Sequence, residues 1–240
     1  LYGDYHLGLR KTLERIRAKY PDRVIQCCSS GGGRVNYGLM PYFDEFWVSD
    51  NTDAQQRLFI QWGTSMFFPA CAMAQHVSAS PNHQTGRVIP LKFRFDVAMT
   101  GRLGLEMRPS DLSERELEYA KQAIATYKEI RPIIQQGNQY RILSPYDKTG
   151  YASELYITDD KSDAVFFAYK FEHYVDQFRP RFHFAGLDPD ATYKLTEICR
   201  NGRTDHWEGH AFTGKFLMQQ GIEIAFNGQF ASKVIRLEKQ

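Results

Sequence analysis

Two periodicities divide this sequence, and the point where one gives way to the other constrains the fold more than any single motif. Up to about residue 137, short apolar runs alternate with segments of helical spacing. Leu9, Leu13, Ile16 and Tyr20 recur at i, i+4, i+7 and i+11, one face of a helix that Pro21 and Asp22 stop. Residues 24–28 then read as a short buried strand and 46–49 repeat that pattern. Residues 54–62 read as a helix opened by an Asp or Thr cap, 66–72 as a third strand and 101–107 as a fourth. Ser113 and Glu116 form a capping box ahead of Leu117, Ala120, Ile124 and Tyr127, a helix predicted to end near Pro132 and Gly137. Beyond it come strand-like runs at 154–158, 164–170, 181–185 and 193–198, separated by turn clusters at 159–163 and 186–190. Strands alternating with helices build a parallel sheet, and closely spaced strands build an antiparallel one. Two domains are therefore expected, an α/β domain over residues 1–137 and an antiparallel β domain over 138–240.

Charge and hydropathy remove several functional classes. Thirty Lys and Arg against 28 Asp and Glu leave a net charge of +2, too small for a surface that tracks the phosphates of a nucleic acid. No apolar stretch approaches the roughly 20 residues that cross a bilayer, so a soluble protein with no membrane partner is expected, and cytoplasm and periplasm both stay open. The four cysteines, at 27, 28, 71 and 199, lack the CxxC spacing of a zinc site.

The ends of the first two strands carry the residues most suited to chemistry. Ser49-Asp50-Asn51-Thr52-Asp53 sets two carboxyl groups three residues apart where a parallel sheet presents strand ends to a ligand. Either Asp could instead cap the helix that follows, and the pair can divide the work, with Asp53 capping and Asp50 acting as acid or base. Cys28-Ser29-Ser30-Gly31-Gly32-Gly33-Arg34 offers three glycines whose backbone can approach a ligand closely. It matches neither GxGxxG nor a P-loop, so a neutral polyhydroxy ligand suits it better than a nucleotide. His76 and His83, seven residues apart, match no metal-ligand spacing and read as loop residues that hydrogen-bond, together with Asn82 and Gln84. Cys28 reads as a packed wall residue, and Trp47 as a core residue more than a sugar platform. Trp207, Tyr193 and Phe212 fit a sandwich core or a carbohydrate-binding face equally well.

Taken together, Cys-Ser-Ser-Gly-Gly-Gly-Arg at 28–34, Phe-Trp-Val-Ser-Asp-Asn-Thr-Asp-Ala at 46–54, Gln-Trp-Gly-Thr-Ser at 61–65 and His-Val-Ser-Ala-Ser-Pro-Asn-His-Gln-Thr-Gly-Arg at 76–87 resemble the α-galactosidases (melibiases) of glycoside hydrolase family 36. The resemblance continues, more loosely, through Leu143-Ser144-Pro145 to Phe212-Thr213-Gly214. It implies the second half of a (β/α)8 barrel followed by a C-terminal antiparallel β-sandwich. It also implies retaining hydrolysis of terminal α-linked galactose from oligosaccharides such as melibiose and raffinose, without metal or cofactor. Asp50 would then be the general acid/base, Cys28, Ser29 and Gly31 would contact the sugar, and Asp53 would support that site. Oligomers are common in the family, which allows a homo-oligomer for the complete protein.

One departure from the family pattern matters. The family's nucleophile is the Asp of a Lys-Trp-Asp motif, and this sequence contains none; Lys161-Ser162-Asp163 falls in a turn of the β-rich part. The chain is therefore expected to be the acid/base-bearing portion of a longer enzyme and inactive alone. A half barrel would also leave two open sheet edges and an uncovered apolar face. The alternatives are a carbohydrate-binding or structural protein without turnover, a transgalactosylase, and an α-N-acetylgalactosaminidase.

Overall fold

The computed structural model of the chain describes residues 1–172, 179–200 and 202–240. Helix α1 (Tyr2–Lys19) leads into strand β1 (Gln26–Cys27). There follow β2 (Glu45–Trp47), α2 (Ala54–Ser65), β3 (Met73–Ser78), α3 (Leu91–Ala98), β4 (Arg102–Glu106) and α4 (Glu114–Gln136). The four strands pair in parallel in chain order, β1-β2-β3-β4. This is how part of a (β/α)8 barrel is built, and its two outer strands are open edges among the described residues.

Two elements of this half differ from the sequence expectation. The 66–72 run is not a strand: Met66 and Phe67 are exposed, Pro69 is extended, Ala70–Ala72 form a 3-10 turn, and the strand begins only at Met73. Pro69 has no N–H to give a ladder, so pairing starts beyond it. The strand thereby takes in His76, which is not a loop residue. The second difference is α3, which sequence periodicity does not reveal because every residue except Lys92 is buried, leaving no polar face to alternate with an apolar one.

The sheet's two faces have opposite character. Cys27, Phe46, Met73 and Val77 pack toward the helices. On the other face Gln26 donates to Glu45 (2.9 Å), and Arg102 pairs with Glu45 (2.6 Å). The uncovered apolar face expected of a half barrel is therefore a polar one, lined by groups that bond one another.

The second half begins at β5 (Asn138–Leu143) and continues through β6 (Tyr151–Ile157), β7 (Asp163–Lys170), β8 (Arg181–Phe182) and β9 (Thr192–Ile198). It ends with β10 (Ala211–Thr213), α5 (Gly214–Gln219), β11 (Ile222–Glu223) and β12 (Ala231–Lys239). Six strands form an antiparallel sheet in the order β10-β9-β12-β7-β6-β5, and β11 pairs with β8 in a second, two-stranded sheet, making a β-sandwich. Trp207 and Tyr193 are wholly buried and Phe212 is half-buried, so the first two are sandwich core. The sandwich is tied to the helices by tyrosine hydroxyls that donate to buried carbonyls at and just beyond the C-terminal end of α3: Tyr169 to Asp96 O (2.9 Å) and Tyr156 to Thr100 O (3.0 Å).

Candidate active site

Ser49 to Asp53 connect the C-terminal end of β2 to the start of α2, and local chemistry explains the turn. Asp53 is the N-cap: its Oδ1 accepts from the N–H groups of Gln55 (3.0 Å) and Gln56 (3.1 Å), satisfying two donors that a helix start leaves free. Its Oδ2 accepts from Thr85 Oγ1 (2.6 Å) and pairs with Arg87 (2.6 Å). Asp53 is wholly buried with both oxygens engaged: it caps α2, the share the sequence left to it, and anchors the 82–87 loop to the helix start, so a place for it among residues that touch the sugar directly is corrected to a supporting one beneath the turn.

Asp50, three residues earlier, is exposed. Its neighbours are pinned from outside the turn. Arg57 Nη2 donates to Ser49 O (2.7 Å), Gln84 Nε2 to Asp50 O (2.8 Å), and Arg57 Nε to Asn51 O (2.6 Å). The N–H of Thr52 donates to Gln84 Oε1 (2.9 Å). A side chain on a backbone held this way has little freedom beyond its own rotamers.

The glycine loop after β1 is brought against this turn. Gly31 is buried with φ +75°, and a Cβ there would lie 2.7 Å from Ser49 Cα and 3.0 Å from Asp50 N. Only glycine tolerates both the left-handed backbone and that approach. Ser29, half-buried, closes the turn with its own backbone, donating to Gly31 O (3.1 Å) and accepting from Gly33 N–H (3.2 Å). Cys28 is exposed, against its expected role as a packed wall residue. Cys27 points to the helices, so Cys28, one residue on, alternates to the open face.

Beneath the turn lies a stack of flat groups. The Arg57 guanidinium, 2% exposed, sits 4.3 Å from the Trp47 ring, and the Trp47 and His76 rings are 4.4 Å apart. His76 in turn needs Gly104 opposite it on β4, where a Cβ would come within 2.2 Å of its ring. Burial, opposed by the carboxylates of Glu106 and Asp50, brings the Arg57 pKa down to about 10. Burial and the Arg57 charge hold His76 below the usual imidazole value, favouring its neutral form. Trp47 is thus a core residue that carries the arginine.

Sequence reasoning missed Arg57 and Arg87 and gave Gln84 only a general hydrogen-bonding role. A signal existed for Arg57: with Ala54, Leu58, Gln61 and Trp62 it falls on the buried stripe of α2, where a charged residue is out of place unless it has an appointed partner. Among the described residues no three His, Cys, Asp or Glu side chains converge to hold a metal ion, and no helix is long and apolar enough to cross a membrane. The arrangement offers an exposed carboxyl on a fixed backbone, beside a glycine loop and over a polar face, suited to exchanging a proton with a bound neutral ligand.

A family model described as Melibiase matches residues 2–137, and that of the glycosyl hydrolase family 36 C-terminal domain matches residues 151–237. A probable alpha-galactosidase G of Aspergillus terreus is 36% identical over 237 residues, which are 98% of this chain and 31% of that protein. Among solved structures, the galactosidase domain of the alpha-galactosidase-sucrose kinase AgaSK superposes with a TM-score of 0.91 at 34% identity, over 100% of this chain and 32% of that one. A variant of the GH36 alpha-galactosidase AgaA of Geobacillus stearothermophilus, in complex with raffinose, gives 0.90 at 35%, over 98% and 31%. The chain thus spans about a third of the length of the relatives it matches.

Proposed function

Because the chain belongs to the melibiase family, we propose that it supplies the acid/base side of a retaining α-galactosidase site, with Asp50 as the general acid and base. The observation that carries this reading is the placement of Asp50: exposed at the C-terminal end of a parallel strand, on a pinned backbone and against Gly31. Active sites of (β/α)8 barrels lie at that end of the strands. Cys28, Ser29 and Gly31 would face the galactose, and the substrates would be α-galactosides of the raffinose type, the ligand named for the AgaA variant. The division at Gly137 into catalytic part and sandwich belongs to the same proposal.

The chemistry needs a second carboxylate about 5–5.5 Å from the first. With no Lys-Trp-Asp in the sequence, we assign that nucleophile to a part of the complete enzyme outside this chain. It attacks the anomeric carbon as the glycosidic C–O bond breaks and the Asp50 carboxyl gives its proton to the departing oxygen. The Asp50 carboxylate then takes a proton from water, whose oxygen displaces the nucleophile and returns galactose.

Kinetics of Asp50→Ala in the complete enzyme test the assignment. The value of kcat/KM on raffinose, whose leaving group needs protonation, should fall about 10²–10⁴-fold. Hydrolysis of an aryl α-galactoside with an acidic leaving group should fall far less and be accelerated by azide. Near-normal turnover of raffinose would overturn the reading.

A further inference from the structure

Four consecutive residues around Asp50 each have a main-chain group bound by a side chain from another element. Ser49 O and Asn51 O, either side of Asp50, both accept from the fork of Arg57 on α2. Asp50 O and Thr52 N–H are bridged by the amide of Gln84, in the loop between β3 and α3. That loop is itself docked on the turn: Asn82 Oδ1 accepts from Gln84 N–H (3.0 Å), and Asn82 Nδ2 donates to Thr52 Oγ1 (3.2 Å). A buried cation is ordinarily held by a carboxylate. Arg57 is directed instead to two carbonyls and a tryptophan face, with Trp47 and His76 filling the space behind it. Gln84 is exposed, so its two bonds to the turn do not follow from core packing.

We infer that Arg57 and Gln84 are positioning residues for Asp50, a two-sided clamp that fixes the backbone from which its carboxyl reaches the departing oxygen. The inference rests on the reading of Asp50 as acid/base. Only a planar fork spans two carbonyls two residues apart; a lysine ammonium is a point donor on a flexible stem. Misdirecting an acid by an ångström penalises the step that needs its proton and leaves other steps nearly untouched. The clamp therefore predicts a defect that depends on the leaving group, which a general loss of stability would not produce.

The test uses the complete enzyme with two substrates, raffinose and 2,4-dinitrophenyl α-galactoside. Gln84→Ala should lower kcat/KM on raffinose about tenfold and on the aryl galactoside about twofold or less, with the protein still folded at the assay temperature and its melting temperature lowered by only a few degrees. Arg57→Lys should show the same split with a raffinose loss of about 10²-fold. Placed in Asp50→Ala, neither change should add a further loss, since each acts through Asp50. Equal losses on both substrates, or losses that multiply in the Asp50→Ala background, would overturn the inference. Should Arg57→Lys fail to fold, Gln84→Ala, at an exposed position, decides. If Asp50→Ala itself lacks leaving-group dependence, the acid/base reading falls; if Asp50→Ala shows it and Gln84→Ala does not, only the clamp falls.

Discussion

Strand β7 is buried on both faces, with Val165, Phe167 and Tyr169 against the helices and Ala164, Phe166 and Ala168 against the sandwich interior. Strand β2 differs: Phe46 packs on the helices while Glu45, on the opposite face, bonds Gln26 and Arg102, and Trp47 underlies the Asp50 turn. The sandwich interior and the site end of the parallel sheet follow these two strands. The sandwich is held by close-packed apolar contact, which is strong and undirected. The site end of the parallel sheet is held by hydrogen bonds and ion pairs, weaker in sum but specific in direction. A site that must aim one carboxyl gains more from the second kind.

The comparison breaks most visibly if the sandwich proves tolerant. Trp207→Ala removes a wholly buried indole from the sandwich core and should destabilise the chain by about 3–5 kcal/mol. Ile16→Ala, on the exposed side of α1, should cost about 0.5 kcal/mol or less. Urea unfolding of both variants measures the difference, and comparable costs would remove the contrast.

The polar site end is probed next by Asp53→Ala, which deletes a helix cap and leaves Arg87 without its carboxylate. About 3 kcal/mol is expected, together with faster amide hydrogen exchange over residues 82–87, the loop Asp53 anchors. A loss of stability without that local change would mean that Asp53 serves α2 alone.

The smallest effect concerns the seam between the halves. Asp96 on α3 is wholly buried, pairs with Lys92 (2.6 Å) and accepts from Ser232 Oγ (2.7 Å). Burial pushes its carboxyl above the ordinary range, and Lys92 only partly opposes this. A carboxyl whose folded pKa exceeds its unfolded one binds more proton when folded. Its contribution is complete below the unfolded pKa and is lost as pH rises through the folded value. Asp96→Asn should therefore melt with a shallower fall than the parent chain as pH rises above the ordinary aspartate range. Parallel pH profiles would show that folding leaves the Asp96 pKa where it is in the unfolded chain.

Among the elements, those with local signals were legible. The capping box at Ser113 and Glu116 marked the start of α4, and the polar cluster after β2 marked both the cap and the exposed carboxyl. What lacked a local signal was missed. The helix α3 hides its period because it is buried on nearly every side, and the start of β3 was displaced because Met66 and Phe67 look like strand residues while their N–H groups close the last turn of α2.

The same distinction runs through the site. The sequence by itself determined that a carboxyl would stand at the end of a parallel strand, that a glycine loop would follow the strand before it, and that a helix would be capped between 49 and 54, because each depends on residues within a few positions of one another. Only the tertiary structure decided that Asp53 is sealed from any ligand, that the open sheet face is polar, and that Asp50 is pinned by Arg57 and Gln84. The bond from Gln84 to Asp50 joins residues 34 positions apart. Such a contact leaves no period in the chain, because it forms only when a loop from one strand is packed against the end of its neighbour.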